Sequence, residues 1–119
     1  MTRVNAGVEP ITLTREHLIA EHREIKRIPN AVRQGRVRLE NIPESFRLGT
    51  GHVKFFYDKL GYLRDRYISI RNECWRRNYQ VTDYVEAWEG IPEALMGQWD
   101  PTPQAIALVQ ERIQERLTT

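Results

Sequence analysis

A repeating pattern of apolar residues in the middle of the chain limits the possible fold more than any other feature of the sequence. Its members recur at alternating spacings of three and four, namely Val53, Phe56, Leu60, Leu63, Tyr67, Ile70 and Cys74. Because that spacing keeps side chains on one face of a helix, we predict a helix from Thr50 to Arg77, about 42 Å long. A coiled-coil seam has the same spacing, but about three heptads are few for one, which favours a helix central to the core.

A helix is also predicted from Arg15 to Arg27, opened by Thr12 or Thr14 as its N-cap and ended before Pro29. On a helical wheel, one face collects mostly polar residues, namely Glu16, His17, Ala20, Glu21, Arg23, Glu24 and Arg27. The opposite face holds Leu18, Ile19, His22 and Ile25 and is the predicted core face. Glu24 therefore lies between two arginines on one surface, an arrangement that surface salt bridges also produce.

The third predicted helix runs from Pro103 to Leu117, with Thr102 as its cap and Pro103 at its first position. Its predicted buried face consists of Ile106, Val109, Ile113 and Leu117, and Arg112 and Arg116 share another face. The connection from Asn78 to Asp100 has no assignable conformation, and no segment alternates as a strand does. We predict an all-α fold, residues 1–119 forming a single compact domain of three main helices with irregular connections.

Charge is divided unevenly along the 119 residues. Residues 1–77 hold 16 Lys and Arg against 9 Asp and Glu, a net +7, whereas residues 78–119 hold 2 against 7, a net −5. A basic stretch of this kind is typical of proteins that bind a polyanion, although a solvated charged surface gives the same pattern. No apolar run could span a membrane, no secretory signal is recognisable, and a lone cysteine cannot form an internal disulfide, so we expect a cytoplasmic protein.

Other sites of chemistry are weakly supported. His17 and His22 point about 140° apart on a helix, and His17, Glu21 and Glu24 are too few ligands, so no metal is expected. Gly49-Thr50-Gly51 follows no strand and lacks the lysine of a nucleotide-binding loop; we interpret it as a turn in which Thr50 caps a helix whose amides could hold a DNA phosphate. Cys74 is interpreted as a core residue and the three tryptophans as core or interface residues, although tryptophans can also stack on bases.

Several blocks of sequence are together more specific than these features. They are Met1-Thr2-Arg3, the stretch HLIAEHRE at 17–24 and the stretch LGTGHVKFFYDKL at 48–60. In these blocks, and on through Cys74, the chain resembles the pyrimidine dimer DNA glycosylases of the phage endonuclease V type. A weaker similarity resumes in the third helix, where Arg112 and Arg116 match basic positions.

The resemblance implies an enzyme that flips a nucleotide out of UV-damaged duplex DNA, cuts the glycosidic bond and then nicks the strand through an imine. The implied nucleophile is the α-amine of Thr2, exposed once Met1 is removed, and Glu24 matches the catalytic carboxylate. The implied DNA contacts are Arg3, His17, Arg23, Arg27, Arg112 and Arg116, to which we add Thr50 at its turn and Tyr67 near the flipped base. No metal or organic cofactor is implied, the partner is lesion-containing double-stranded DNA, and we expect a monomer.

Three departures from the family pattern affect the expected lesion preference. The chain stops at Leu117-Thr118-Thr119, where family members carry an aromatic and basic tail, and the loop after Arg33 is shorter. Tyr67 also occupies a position where a polar residue is expected. Two alternatives therefore stay open: an abasic-site lyase or a glycosylase for other damaged bases, and a non-catalytic DNA-binding module.

Overall fold

Helices and irregular connections make up the structure, a computed structural model that describes residues 2–118. The α-helices are α1 (Arg15–Glu24), α2 (Arg27–Arg33), α3 (His52–Phe55), α4 (Leu60–Arg76) and α5 (Pro103–Thr118). Short 3-10 helices span Pro10–Thr12, Val85–Trp88 and Glu93–Leu95. Within residues 2–118 there is no strand, only an isolated bridge between Lys59 and Met96. The predicted all-α class is confirmed, and the radius of gyration of 13.9 Å is close to the roughly 13.5 Å expected for a compact chain of this length.

Helix α4 lies at the centre of the core, as its apolar pattern predicts. Phe56, Leu60, Leu63, Tyr67, Ile70 and Cys74 are all 0 % exposed, whereas Val53 is only partly buried. Elements that precede and follow α4 in the sequence pack on it, namely α1 and the 3-10 helices Pro10–Thr12 and Val85–Trp88. The pattern therefore marks a core helix rather than a coiled-coil seam.

The prediction of one continuous helix from Thr50 to Arg77 is wrong, because residues 56–59 form a turn between α3 and α4. The backbone there makes tighter bonds, from the amide of Phe56 to the carbonyl of Val53 and from that of Lys59 to Phe56. Lys59 then pairs with Met96, and its ammonium donates to the carbonyl of Phe55 at 3.1 Å. The pairing with Met96 and the bond to Phe55 thus replace helical hydrogen bonds that the turn lacks.

Helix α1 begins as predicted, since the Thr14 side chain accepts a hydrogen bond from the amide of His17. It ends at Glu24 rather than at Arg27, and after a two-residue turn α2 begins at Arg27. Pro29 lies in the first turn of α2, where an amide would have no helical partner in any case, so it is compatible with the helix. Leu18, His22 and Ile25 are buried, as predicted for the core face.

Helix α5 begins at the predicted position, because the amide of Ala105 donates to Oγ1 of Thr102 at 3.0 Å. Its buried face is centred on Ala105 and Val109. Leu117 is 53 % exposed, so its predicted place on the buried face is wrong; the helix has passed the edge of the core by that residue. In the part of the chain that the structure describes, no helix combines the length and the apolar character needed to cross a membrane.

The connections on either side of α4 carry much of the remaining core. The ring of Trp99 stacks on that of Phe46 at 5.6 Å, and Trp88 is 5 % exposed. Trp75, by contrast, is 46 % exposed, with the guanidinium of Arg71 4.6 Å from its ring. Cys74 is buried, as predicted, and two of the three tryptophans belong to the core.

Candidate active site

A cavity of about 360 Å³ is lined by three elements that are far apart in sequence. They are residues 2–8, which we call the N-terminal segment, and helices α1 and α5. The lining residues are Arg3, Asn5, Glu16, His17, Ala20, Glu21, Glu24, Arg112, Ile113 and Arg116. Three arginines and three glutamates therefore share one concave surface, whose volume is within the range of ligand-binding sites.

Glu24 lies in the wall of this cavity, at the last position of α1. Its side chain is 15 % exposed, and Oε2 lies 3.3 Å from Nη2 of Arg23, whose own side chain is 58 % exposed. The cavity thus holds a carboxylate that is paired with an exposed guanidinium, that of Arg23.

The imidazole of His17 is oriented by the same residue that caps α1. Its Nδ1 lies 2.9 Å from Oγ1 of Thr14, which also accepts a hydrogen bond from the His17 amide. With Nδ1 engaged in this way, Nε2 is the ring nitrogen that remains for a ligand in the cavity.

One of the residues that line the cavity, Glu21, belongs to a buried ion pair. Both oxygens of Glu21, 0 % exposed at its side chain, bind Arg66, at 2.8 and 3.0 Å. Asn5 Nδ2 donates to Glu21 at 2.9 Å, Arg112 donates to Oδ1 of Asn5 at 3.1 Å, and Arg66 also donates to the carbonyl of Val8. One network therefore ties the N-terminal segment to α1, α4 and α5.

The helical wheel places Glu21 on the polar face of α1, and that prediction is wrong, because Glu21 is buried; its pair with Arg66 was not predicted. Burial alone would lower the pKa of Arg66, but the adjoining Glu21 carboxylate raises it above its usual value, so the arginine stays charged in the core. A signal was present, because Glu21 lies three residues after Leu18 and four before Ile25, within the apolar spacing of α1. Arg66 likewise lies three residues after Leu63 and four before Ile70, within the apolar spacing of α4.

A second anchor holds the N-terminal segment at Val4. The amide of Val4 donates to Nε2 of His52 at 3.0 Å, and Nδ1 of the same ring lies 2.9 Å from the carbonyl oxygen of Arg47. A carbonyl oxygen can only accept, so Nδ1 carries the proton and Nε2 carries the lone pair. Burial lowers the pKa of His52, which favours this neutral ring.

Five of the residues predicted for the site line one cavity: Arg3, His17, Glu24, Arg112 and Arg116. Thr2 directly precedes Arg3 and is partly buried. Arg23 joins the group through its contact with Glu24. The predicted removal of Met1 concerns a residue outside those that the structure describes.

Three predicted site residues lie elsewhere. Arg27 is exposed at the start of α2, and Thr50 is exposed in the turn before α3. The predicted capping role of Thr50 is wrong, because Gly51 is the N-cap, in a left-handed conformation (φ 89°), and no side chain bonds there. Tyr67 is fully buried and does not line the cavity, and its contact with an extruded base stays a prediction.

The hydroxyl of Tyr67 is committed to the core. It accepts a hydrogen bond from the amide of Tyr84 at 2.6 Å and lies 3.2 Å from Nε2 of His22 and 3.3 Å from Oδ1 of Asp83. Burial is the main reason that the pKa of Tyr67 is raised, to about 12, so the phenol keeps its proton. Its role is to join α4 to α1 and to the segment before the Val85–Trp88 helix.

Cationic side chains are exposed along α1, α2 and the connection that follows. We call this the basic surface and define it as Arg15, Arg23, Arg27, Arg36 and Arg38, all of which are exposed. Lys26 is excluded because it is only partly exposed and lies over the ring of Tyr84 at 3.7 Å. Arg33 is excluded because its guanidinium is held by three hydrogen bonds, to the carbonyls of Glu86 and Glu89 and to Oδ1 of Asn30. Among residues 2–118, no group of three side chains has the composition of a metal site.

A family model described as pyrimidine dimer DNA glycosylase matches residues 1–87. The match covers the N-terminal segment, α1 with His17 and Glu24, and helices α2 to α4, which include both anchors of the N-terminal segment. It thus covers well over half of the chain and confirms the suggested resemblance. The chain belongs to the pyrimidine dimer DNA glycosylase family.

Proposed function

We propose that this chain is a DNA glycosylase with abasic-site lyase activity on cyclobutane pyrimidine dimers in duplex DNA, with the α-amine of Thr2 as its nucleophile once Met1 has been removed. The glycosylase activity follows from the family. One observation carries the rest: Arg3, the residue directly after Thr2, lines the same cavity as Glu24. A terminal amine at residue 2 would therefore begin at the edge of a cavity that holds a carboxylate and several arginines.

A chain terminus suits this chemistry better than a lysine does. The attacking amine must be neutral, and an α-amine with a pKa of about 7.9 is roughly 25% neutral at pH 7.4, against about 0.1% for a lysine. The terminus thus supplies on the order of 200 times more reactive amine before any effect of its surroundings. Thr2 is also small enough for ordinary removal of Met1.

In the proposed reaction the amine attacks the sugar carbon C1′ and the glycosidic bond breaks, its electron pair leaving with the base, which takes up a proton. Ring opening then gives a protonated imine between the α-nitrogen and C1′. The imine acidifies the hydrogen on C2′, and loss of that proton expels the 3′ phosphate oxygen, which nicks the strand.

Glu24 is suited to two parts of this sequence. Its carboxylate can stabilise the positive charge that develops on the sugar, and it can accept and return protons between the amine and the substrate. Arg3, Arg112 and Arg116 lie in the same cavity and offer forked donors to the phosphates on either side of the lesion. The basic surface, with Arg23 and Arg27, extends this binding along the duplex.

Borohydride trapping tests the chemistry. A duplex with one abasic site, incubated with the protein and borohydride, is expected to give a covalent protein–DNA adduct, because reduction makes the imine permanent. Mass spectrometry should locate the modified nitrogen on the α-amine of Thr2. A protein that only binds DNA would yield no adduct, and an adduct on a lysine would overturn the assignment of the nucleophile.

Glu24→Gln is expected to reduce turnover roughly 100-fold or more, as loss of an acid–base group does. Glu16→Gln is the matched control, since it removes the same charge from the same cavity and is expected to change turnover less than about threefold. An equal loss in the two variants would show that only the charge of the cavity matters. Rates on dimer, abasic and oxidised-base duplexes then define the lesion, and equal rates on dimer-containing and undamaged DNA would contradict the proposed specificity.

A further inference from the structure

The hydrogen bond between Val4 and His52 restrains the start of the chain at a point close to the cavity. Val4 and His52 are 48 positions apart, and both are buried. From the Val4 nitrogen, the nitrogen of residue 2 is two residues away, a distance of at most about 7 Å along an extended backbone. Holding the Val4 amide therefore confines the nitrogen of Thr2 to a small volume.

The ring of His52 is itself held on several sides. The Arg47 carbonyl lies at Nδ1, and the rings of Phe46 and Phe56 meet the imidazole edge to face at 5.4 and 5.5 Å. The ring therefore cannot turn to present another atom to Val4 without losing these contacts. It binds the Val4 amide through the lone pair of Nε2.

We propose that His52 is a positioning residue of this enzyme: its neutral ring, through the hydrogen bond to Val4, holds the amine of residue 2 where it can reach the sugar. The inference rests on the proposed function, because it concerns the placement of the proposed nucleophile. His52 is not among the residues that line the cavity. It acts on the reaction through the backbone of the N-terminal segment.

The proposal implies a specific effect of pH. A proton on Nε2 would face the amide proton of Val4, so the bond exists only while His52 is neutral. Burial lowers the pKa of His52; among the charged groups that face the ring, Arg112 on α5 lowers it further, and Glu21 on α1 raises it. The folded pKa is therefore below the ordinary value of about 6.5, and the anchor is complete above that value and is lost as pH falls through the lower one.

The test compares rates of borohydride trapping on an abasic duplex between wild type and three variants. His52→Gln keeps an acceptor at the position of Nε2 and is expected to trap within about threefold of wild type. His52→Leu leaves the Val4 amide buried without an acceptor and is expected to trap about tenfold more slowly or worse. Affinity for a duplex with a non-reactive abasic analogue should change less than about threefold in both variants.

His22→Leu is the matched control. His22 is as buried as His52, at 3 % exposure, but it bonds to Tyr67 and lies on the face of α1 opposite Glu24. Its loss removes a buried histidine without releasing the N-terminal segment, so trapping should stay within about threefold of wild type. An equal loss in His22→Leu and His52→Leu would overturn the inference, since the effect would then be a general loss of packing.

A pH titration distinguishes protonation of His52 from protonation of the α-amine, which by itself lowers the trapping rate in acid. That effect is common to wild type and His52→Gln, so it cancels in the ratio of the wild-type trapping rate to the variant rate. This ratio should be constant above about pH 6.5 and should fall as the pH drops through the lowered pKa of His52. A ratio that stays constant while the His52 ring takes up its second proton, as followed by the ¹H–¹⁵N signals of the ring, would overturn the inference, whereas wild-type protein that forms no adduct at all would overturn the proposed function as well. Long-range ¹H–¹⁵N spectra of wild type give a reading that does not depend on whether the leucine variant folds: a proton on Nε2 of His52 at pH 7.5 would contradict the proposal.

Discussion

The Glu21 carboxylate accepts two hydrogen bonds from Arg66 and one from Asn5 in a site that water does not reach. Moving either charge from water into such a site is costly, and the attraction between the two charges, with the extra hydrogen bonds, offsets that cost. The pair is therefore far more stable than either residue would be alone. At the scale of single residues, the largest effects on stability should come from breaking this pair.

We expect Glu21→Leu to lower the free energy of unfolding by about 3–5 kcal/mol, because it leaves the Arg66 charge buried without its partner. Arg66→Met should cost a similar amount, and the double variant should cost clearly less than the sum of the two. Urea denaturation measures all three free energies. Arg64 is an exposed arginine on the same helix as Arg66, so Arg64→Met serves as the control and should cost less than about 0.5 kcal/mol. Strict additivity in the double variant would contradict the interaction.

Single residues also show where sequence reasoning succeeds. Burial of Leu18, Ile25 and most of the α4 stripe could be predicted, because apolar spacing reports directly on which face meets the core. The difference between Glu21 and Glu24 could be predicted only in part: the spacing of Glu21 between Leu18 and Ile25 indicates the core face, but the partners of its carboxylate are not apparent from the sequence. Glu21 and Glu24 are three apart on one helix, and their environments differ because of Arg66 and Asn5, which reach Glu21 only in the folded chain.

At the scale of elements, the turn at residues 56–59 shows what apolar spacing leaves undetermined. Helices α3 and α4 are separate, yet Phe56 and Leu60 continue one buried stripe across the turn. A periodic pattern therefore indicates which side chains face the core. It does not show whether the backbone between them is helical throughout. The turn depends on contacts with residues 96–98, which are distant in sequence.

Gly97 makes two of these contacts, one with α4 and one with the turn. Its carbonyl accepts the amide of Tyr62 at 3.0 Å, which satisfies one of the free donors in the first turn of α4. A Cβ added to Gly97 would lie 2.4 Å from the backbone oxygen of Asp58, a distance that the two segments can relieve only by moving apart.

We therefore expect Gly97→Ala to lower stability by about 1–3 kcal/mol, as other overpacked sites do, and to speed hydrogen exchange at the Tyr62 amide. Gly90→Ala is the control, since a Cβ there meets no atom within 4 Å and its cost comes only from a positive φ of 77°. Exchange at Tyr62 should be unchanged in that variant. Equal exchange at Tyr62 in both variants would contradict the proposed contact.

For the whole molecule, the uneven charge along the chain becomes a difference between surfaces. Arginines of α1, α2 and the following connection form the basic surface, beside a cavity that holds three more arginines. Some cations outside this surface are neutralised by the acidic part of the chain, as in the pair Arg71–Asp83 at 3.3 Å. Net charge alone, at +2, would have hidden this division.

Arg27→Ala should weaken binding to an undamaged duplex in a salt-dependent way. Each phosphate contact that is lost reduces the slope of log K against log salt concentration by about 1. Fluorescence anisotropy over a range of KCl concentrations measures that slope. Arg71→Ala removes a cation already paired with Asp83 and should leave the slope unchanged; an unchanged slope for Arg27→Ala would exclude Arg27 from the DNA contacts.

The two anchors of the N-terminal segment have a practical consequence for producing this protein. Val4 and Asn5 are fixed by His52, Glu21 and Arg112, so the segment cannot slide to accommodate extra residues at its start. Each residue left behind by a cleaved purification tag would move the terminal nitrogen by up to about 3.5 Å, farther than the length of the bond it must form. On the proposed mechanism, a preparation with one surplus glycine would fold and bind DNA yet leave the strand uncut, whereas a tag at the carboxyl end would preserve activity.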